Sequence, residues 1–354
     1  MNFKTQILAW LLGIFQLISC QQSKKESMPE KESVPVYNIE ISHPDNKYLI
    51  TPVEDKIFTF EGNDSSLPYG SSSGNWGDSG KTFTERRGTP KGADIVYFSR
   101  YEDAFYHLKA DFPEKEVKDF VRRAYADEED SDCGVLKEFV YTDKENYCGA
   151  YKKLGDLVFG FAPKGMVVVW LRFGYVQIEL GKFQAEVVKD DKKYAEKLFS
   201  KISQTREDIK NDMFIANVSP NLWEQYRTRY QWTPNIHSDN KGFKLFNVQT
   251  VYYNGEREVM LRPWVENPSI KERAIPKEIT FFWETGKGEA FEGRAFFNWE
   301  KTNEEFKKET KDFKLDIKIA EDNNSFQVLI NDLPIKIDST RVYKSNFTFK
   351  DSYK

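Results

Sequence analysis

The chain has 354 residues, of which 39% are hydrophobic and 31% are charged, and its formal net charge is −4 at pH 7. This composition is typical of a folded globular protein and excludes an intrinsically disordered chain. The charges are spread along the chain rather than gathered into a basic patch, so the sequence predicts no nucleic-acid partner.

The first twenty residues have the pattern of a bacterial lipoprotein signal. Lys4 precedes an apolar run over residues 7–18, which has the length of a signal-peptide core and is shorter than the roughly 20 residues of a membrane-spanning helix. Leu17-Ile18-Ser19-Cys20 resembles the lipobox at which such signals are cut and acylated. We therefore expect a signal peptide over residues 1–19 and lipidation of Cys20, with palmitate among the chains. An ordinary secretory signal with a chance cysteine is the alternative.

Acyl chains on Cys20 are expected to hold the protein on a membrane. Each buried methylene contributes about 0.8 kcal/mol, and more than one chain makes the attachment stable. Glutamine rather than aspartate follows Cys20, which by resemblance to lipoproteins implies the outer membrane, with the periplasmic face and the cell surface both open. Residues 20–35, rich in Ser, Lys, Glu and Pro, are predicted to form a flexible tether.

Two further cysteines, Cys133 and Cys148, form an even pair. In an oxidising envelope such a pair predicts a disulfide. The closed loop of about 15 residues would contribute roughly 3 kcal/mol in the chain-entropy description. Two buried free thiols are the alternative, and zinc is disfavoured because no histidine lies near either cysteine.

The expected fold class is α+β, rich in antiparallel sheet, with a few packing helices. Aromatic residues make up 15% of the chain, which suits strands. Strands are predicted at 36–42, 48–53 and 56–60. Hairpins are predicted at 93–100 with 104–112, 157–161 with 166–173, 175–180 with 183–188, 243–253 with 256–262, 278–284 with 290–299, and 313–319 with 326–330. Helices are predicted over 114–126, 194–213 and 300–311.

Two segments of the chain are similar at an offset of 186 residues. Pro90-Lys91 corresponds to Pro276-Lys277, Ala104-Phe105 to Ala290-Phe291, and Phe120 to Phe306. Both segments lie in the order hairpin, helix, hairpin. The pattern favours two topologically similar α+β halves, 36–213 and 214–354. Chance similarity among common α+β patterns is the alternative.

Several short motifs resemble catalytic or metal sites without meeting their requirements. The serine at the centre of Gly70-Ser71-Ser72-Ser73-Gly74 lacks the strand and helix of a nucleophile elbow. Residues 74–82 place five residues rather than four between the glycines of a phosphate loop. Asp130 and Asp132 lack the distant glutamate of a calcium loop. The sequence therefore predicts no catalytic residue, no metal site and no cofactor, and leaves open a site assembled in space.

The best binding candidate is an aromatic and cationic run between residues 223 and 232. Its members are Trp223, Tyr226, Arg229, Tyr230 and Trp232. Trp, Tyr and Arg are the residue types that dominate interface hot spots. The alternative is structural, because the i, i+3, i+7 spacing of Trp223, Tyr226 and Tyr230 is that of one buried helix face.

A series of short motifs in one order points to a known family. They are Asn75-Trp76-Gly77, Phe98-Ser99, Glu102 with Phe105-Tyr106, Phe112-Pro113, Pro163-Lys164-Gly165, Val169-Trp170, Tyr230-Gln231-Trp232, Asn254-Gly255-Glu256 and Ile275-Pro276-Lys277. In these motifs the chain resembles domain-of-unknown-function family 2931, uncharacterised lipoproteins common in Bacteroidetes. The resemblance implies a lipoprotein and carries no catalytic residues. Some similar proteins lie beside secreted phospholipase toxins, which implies an immunity role.

The expected function is that of a lipid-anchored binding protein of the cell envelope, not an enzyme. Its expected partner is a secreted effector protein, which it would neutralise as an immunity lipoprotein. One alternative is a structural or glycan-binding lipoprotein with Trp76, Trp223 or Trp232 as sugar platforms. A hydrolase with a spatially assembled site is the less favoured alternative.

Overall fold

The structure is a computed structural model that describes residues 34–68, 75–78, 83–124, 154–262 and 264–346. The predicted signal peptide, Cys20 and the tether up to residue 33 lie outside the described residues. Cys133 and Cys148, Ser72 and the acidic segment 130–134 lie outside them as well. The predictions made for these positions therefore stay predictions.

The described chain is mostly β-sheet with a few short helices, so the α+β expectation fits loosely. The strands are β1 (Val36–Ser42), β2 (Ile50–Thr59), β3 (Phe83–Arg87), β4 (Pro90–Ser99), β5 (Ala104–Asp111), β6 (Asp156–Phe161), β7 (Met166–Phe173), β8 (Val176–Gln184), β9 (Glu186–Val187), β10 (Arg229–Ser238), β11 (Lys244–Tyr252), β12 (Arg257–Leu261), β13 (Lys271–Ala274), β14 (Pro276–Glu284), β15 (Ala290–Phe296), β16 (Phe313–Ile319), β17 (Phe326–Ile330), β18 (Leu333–Pro334) and β19 (Ser339–Ser345). The helices are α1 (Glu114–Ala124), α2 (Lys192–Phe199), α3 (Arg206–Met213), α4 (Asn221–Tyr226) and α5 (Trp299–Phe306). Among the described residues, no helix has both the length and the apolarity that a membrane span needs.

Within the described ranges, the strands form three sheets. A ten-stranded sheet has the order β19-β15-β14-β11-β12-β8-β7-β6-β1-β3, a five-stranded sheet the order β13-β10-β16-β17-β18, and a four-stranded sheet the order β2-β4-β5-β9. The ten-stranded sheet crosses the predicted boundary after residue 213 at the β8–β12 pair, where Gln177 lies opposite Arg257. The segment Val34–Lys354 forms one compact unit, and the division at 213 stays a prediction.

Two sets of strand pairings can be compared, one among the strands before α2 and one among the strands after α4. In the first, β1 pairs antiparallel with β3 and parallel with β6, and β2-β4-β5 form an antiparallel meander. In the second, β10 pairs antiparallel with β13 and parallel with β16, and β11-β14-β15 form an antiparallel meander. Along the chain, a helix follows the meander in both sets and precedes the strand that pairs in parallel. This helix is α1 before β6 in the first set and α5 before β16 in the second. Parallel neighbours need such a crossover because a tight turn cannot join them.

Hydrophobic side chains from facing sheets form two main cores. Ile95 and Leu108 of the four-stranded sheet pack with Leu157 of the ten-stranded sheet in the first core. Phe281 of the ten-stranded sheet packs with Leu315 of the five-stranded sheet in the second core. The described part of the protein thus consists of sheet-on-sheet layers, in which alternate residues of each strand face the core.

Two strands are buried on both faces because helices cover their outer sides. Ile95 of β4 faces the first core, whereas its neighbour Val96 packs with Leu198 of α2. Val169 of β7 also faces the first core, whereas Trp170 packs with Trp223 of α4. The continuous apolar runs of β4 and β7 reflect this double coverage.

Several predicted elements are wrong in detail. The strands predicted at 48–53 and 56–60 are the single strand β2, and the helix predicted over 300–311 ends at Phe306. Residues 175–188 do not form a hairpin around Gly181, because Val176–Gln184 is one strand that pairs with β7 across an irregularity near Trp170. The predicted helix 194–213 is two helices, because Thr205 begins α3 as its N-cap and forms a reciprocal capping box with Asp208.

Candidate functional site

A cavity of about 320 Å³ lies where distant segments of the chain meet. Residues from 44–48, 75–76, 222–226 and 251–257 line it, together with Lys277. Six of its lining residues are aromatic, and we call it the aromatic cavity. Five of the six have rings that pack on another ring of the lining. These are Tyr48, Trp76, Trp223, Tyr226 and Tyr253. Concave sites with apolar walls and a few polar groups are the usual form of binding pockets.

The rings on one side of the aromatic cavity are fixed by edge-to-face and tilted ring contacts. Tyr48 lies 5.1 Å from Tyr101 and 5.2 Å from Trp223, measured between ring centroids. Trp76 lies 5.1 Å from Trp170 and 6.5 Å from Trp223. Pairs of this kind contribute about 0.5–1.5 kcal/mol beyond their buried area. This wall of the aromatic cavity is therefore formed before any ligand arrives.

The other side of the aromatic cavity is built on the second half of the chain. Tyr226, the last residue of α4, lies 5.1 Å from Tyr253 and 5.4 Å from Trp299. The hydroxyl of Tyr253 donates to the carbonyl oxygen of Phe297. Burial raises the pKa of Tyr253 to about 12, with the charge of Glu300 adding to the effect. The phenols of this wall are therefore neutral hydrogen-bonding groups at physiological pH.

Two glycine turns meet beside the aromatic cavity. Gly77 has a φ of +80° and Gly255 a φ of +90°, and a Cβ atom on Gly77 would lie 2.7 Å from the Cα of Gly255. The side-chain amide of Gln177 donates to the carbonyl oxygens of Gly77 at 2.7 Å and Gly255 at 2.6 Å. Only glycine permits both the left-handed backbone and this close approach. Gln177, itself buried, thus joins the turn that carries Trp76 to the β11–β12 turn.

A buried ionic cluster holds Gln177 in place, and we call it the Arg172 cluster. Arg172 donates from Nε to Gln177 at 2.7 Å and from Nη1 to Glu40 at 2.8 Å. Its guanidinium also lies 3.4 Å from Asp156 and 3.7 Å from Asp78. Burial raises the pKa of Glu40 and of Asp156, and the charge of Arg172 opposes the rise in both. Paired carboxylates with raised pKa values are typical of acid–base catalysts.

The burial of the Arg172 cluster argues for a structural role. The side chain of Glu40 is 2% exposed and that of Arg172 is 9% exposed, so a substrate has no access to this pair. The same side chains fix Gln177 and, through Arg172 Nη2 at 3.0 Å, the carbonyl oxygen of Gly77. The cluster therefore positions a wall of the aromatic cavity.

Charged side chains surround the aromatic rings. Lys47, Arg257 and Lys277 are cationic lining residues, and Asp45 is the acidic one. Arg257 pairs with Asp78 at 2.5 Å, whereas Lys47 lies over the ring of Tyr48, 5.2 Å from its centroid. Within the described residues, neither Lys47 nor Lys277 forms an ion pair. The rim is therefore more cationic than anionic.

The predicted binding run from residue 223 to residue 232 is divided by the structure. Trp223 and Tyr226 lie on α4 and line the aromatic cavity. Helix α4 ends at Tyr226 and strand β10 begins at Arg229. The alternative of one helix face through Tyr230 is therefore wrong.

The other three members of that run make contacts away from the aromatic cavity. Arg229 pairs with Glu256 at 2.8 Å, and Tyr230 donates to Asn303 at 2.6 Å. Trp232 is 0% exposed, and its indole N–H is 3.3 Å from the carbonyl oxygens of residues 273 and 274. Trp232 is a core residue, so its use as a sugar platform is excluded.

Motif residues from the first half form a hydrogen-bonded network inside the fold. The carboxylate of Glu102 accepts from Ser99 at 3.0 Å, from Tyr106 at 3.1 Å and from the backbone N–H of Lys164 at 3.2 Å. Lys164 adopts a φ of 60° in the turn Pro163–Gly165. Glu102 thus ties the β4–β5 turn to the β6–β7 turn, which gives these residues a structural role.

The three histidines are separate from one another. Burial lowers the pKa of His43 to about 4, and its Nε2 accepts from the backbone N–H of Ile50 at 3.3 Å. His107 lies 2.6 Å from Asp94, and His237 lies 3.9 Å from Asp316. Within the described ranges, no group of three His, Cys, Asp or Glu side chains has the arrangement of a metal site.

Sequence reasoning missed most of the aromatic cavity. Asn75-Trp76-Gly77 and Asn254-Gly255-Glu256 were identified as family motifs, but nothing in either motif indicates that the two turns touch. Tyr48 and Tyr253 lie at the ends of predicted strands, beside Leu49 and Tyr252, and no pattern in the sequence marks them as site residues. Only long-range strand pairing brings these segments together.

A search of curated proteins found no match to the chain, and a search of solved structures found none either. A family profile described as "Protein of unknown function (DUF2931)" matches residues 23–221. The match covers more than half of the 354 residues and includes the motifs from Asn75-Trp76-Gly77 to Val169-Trp170. The chain therefore belongs to the DUF2931 family of proteins of unknown function.

Proposed function

We propose that this protein is a lipid-anchored binding protein of the cell envelope, which takes its ligand in the aromatic cavity. Acyl chains on Cys20 hold it on the outer membrane, at the periplasmic face or the cell surface. The observation that carries the proposal is the wall of fixed aromatic rings around a cavity of about 320 Å³. Aromatic side chains in a preformed site bind with little loss of conformational freedom.

The partner is a secreted effector protein, which the lipoprotein neutralises as an immunity protein. Leu222 supports a protein partner, because this apolar side chain at the cavity is 38% exposed. The glycan-binding alternative has less support. It needs open aromatic faces, but Trp223 is 8% exposed and Trp232 is 0% exposed. Of its three candidate tryptophans this leaves Trp76, which is half-buried.

Catalysis is not part of the proposed function. The described lining of the aromatic cavity contains no Ser, Thr, Cys or His side chain, which leaves a hydrolase without a conventional nucleophile–base pair there. The buried carboxylates Glu40 and Asp156 belong to the Arg172 cluster, and they serve to position the cavity wall.

We infer that the protein consists of two topologically similar halves joined edge to edge. The pairings β1–β3, β1–β6, β2–β4 and β4–β5 correspond one to one with β10–β13, β10–β16, β11–β14 and β14–β15. The 186-residue offset supports the correspondence, because Pro90 and Pro276 begin β4 and β14, and Ala104 and Ala290 begin β5 and β15. The aromatic cavity then takes its lining from both halves.

Site-specific photocrosslinking in living cells tests the binding function. A benzophenone amino acid replaces Leu222 beside the aromatic cavity, and in a matched control it replaces Leu333, which is 71% exposed on β18. We expect one envelope or secreted protein to crosslink at position 222 and not at position 333. Trp76→Ala, which removes a cavity wall, should abolish the crosslink.

Equal crosslinking at both positions, or none at position 222, would contradict the use of the aromatic cavity. Labelling with palmitate should be lost in Cys20→Ala while the protein still folds, which tests the anchor separately. The immunity role predicts that a deletion strain is more sensitive to neighbouring attackers than the wild type. Unchanged sensitivity would count against that role.

A further inference from the structure

The rim of the aromatic cavity has an uneven distribution of charge. Lys47 and Lys277 are lining residues without an ion-pair partner among the described residues, and Lys277 is exposed. Arg257 is balanced by Asp78 at 2.5 Å, so its charge is largely satisfied within the protein. Asp45 is the single acidic lining residue in the described part of the chain. The unsatisfied charge at this rim is positive.

The size of the cavity limits what it can enclose. About 320 Å³ is at the small end of the roughly 300–1,000 Å³ of ligand pockets. A cavity of this size encloses one large side chain, and the remainder of a macromolecular ligand must lie across the rim. Leu222, 38% exposed, adds apolar surface at that rim.

We propose that the aromatic cavity binds an acidic segment of a protein partner, which inserts one aromatic or aliphatic side chain while its flanking carboxylates face Lys47 and Lys277. This rests on the proposed function, because it assumes that the cavity is the binding site. The arrangement follows the usual interface plan, in which an apolar anchor fills a pocket and complementary charges lie at the rim.

A display library of random linear peptides, selected on the full-length protein, tests the ligand class. We expect the selected peptides to share an aromatic or large aliphatic residue flanked by Asp or Glu. For one such peptide, Trp76→Ala should weaken binding about thirtyfold through loss of the pocket wall. Lys47→Glu and Lys277→Glu should each weaken it about tenfold. Lys287→Glu is the matched control, because Lys287 is exposed and outside the lining, and it should leave binding unchanged.

The outcomes separate failure of this inference from failure of the proposed function. Selected peptides that are basic or uncharged, but still depend on Trp76, would overturn the acidic partner and keep the cavity as the site. Peptides that bind all variants equally, or a selection that enriches none, would overturn the inference. If crosslinking at position 222 also fails, the proposed function fails with it. Trp76-dependent binding to a glycan array without peptide binding would replace the protein partner with a glycan.

Discussion

Replacing Arg172 with methionine is expected to destabilise the protein by about 4 kcal/mol at pH 7. Arg172 is buried, and its guanidinium lies 2.8 Å from Glu40 and 3.4 Å from Asp156. Methionine keeps much of the apolar volume but leaves both carboxylates without their cation. Breaking a buried pair by removing one partner costs about 3–5 kcal/mol, because the remaining charge stays in the interior. The second oxygen of Glu40 already has no hydrogen-bond partner among the described residues.

The loss of stability that Arg172→Met causes, relative to the wild type, should become smaller as the pH falls. Burial raises the pKa of Glu40 and of Asp156, and Arg172 opposes that rise. In Arg172→Met both pKa values rise further above their unfolded values. A carboxyl group with a raised folded pKa stabilises the fold when protonated, and this stability is lost as the pH rises through the folded pKa. The variant should therefore lose less stability at pH 5 than at pH 7.

Urea unfolding followed by tryptophan fluorescence at both pH values measures the effect. The double variant Glu40→Gln/Arg172→Met should recover part of the loss, because one buried charge is gone. Lys344→Met is the control, since Lys344 pairs with Glu289 on the surface and should change stability by less than about 1 kcal/mol. A penalty below about 1 kcal/mol at pH 7, or one that is equal at both pH values, would refute the reasoning.

Three further predictions concern stability. Burial lowers the pKa of His43 from 6.5 to about 4, so the unfolded chain binds a proton at this residue before the folded protein does as the pH falls. Between pH 7 and pH 5, the free energy of unfolding of the wild type should therefore fall by about 2 kcal/mol more than that of His43→Gln, measured by urea unfolding. If both proteins lose the same amount, His43 is not buried as a neutral group. Gly77→Ala should lower the free energy of unfolding by about 3 kcal/mol in the same assay, because its Cβ would lie 2.7 Å from the Cα of Gly255. Gly62 is the control, because it has a φ of +81° but open space around it, and Gly62→Ala should lower the free energy of unfolding by about 1 kcal/mol. Similar costs for the two glycines would contradict the close approach. Thr205→Ala should lower the melting temperature by an amount equivalent to about 1 kcal/mol through loss of the α3 cap, and an unchanged melting temperature would argue against the cap.

Local patterns predicted the elements whose partners are close in sequence. The hairpin of β4 with β5 and the hairpin of β6 with β7 have the expected bounds within a few residues. Pro113 precedes α1, as the sequence indicates. Strand β16 alternates buried and exposed residues, so its period of two was visible in the sequence.

Features that depend on distant partners were not predictable in the same way. Trp223 and Trp232 are nine positions apart in one aromatic run, yet one covers β7 and the other lies in the second core. The spacing of Trp223, Tyr226 and Tyr230 is compatible with one helix face, and only the pairing of β10 with β13 and β16 decides against it. Nothing in the sequence indicates that Gln177 joins two turns. Its side chain donates to the carbonyl oxygens of Gly77 and Gly255, and these two residues approach each other only in the folded protein.

Hydrogen–deuterium exchange of the full-length protein, with and without the partner that crosslinks at position 222, tests the central claim most directly. Binding in the aromatic cavity predicts slower exchange in residues 44–48, 75–78, 222–226 and 251–257, with strand β18 unchanged. Protection confined to other segments, or no protection at all, would contradict the aromatic cavity as the binding site.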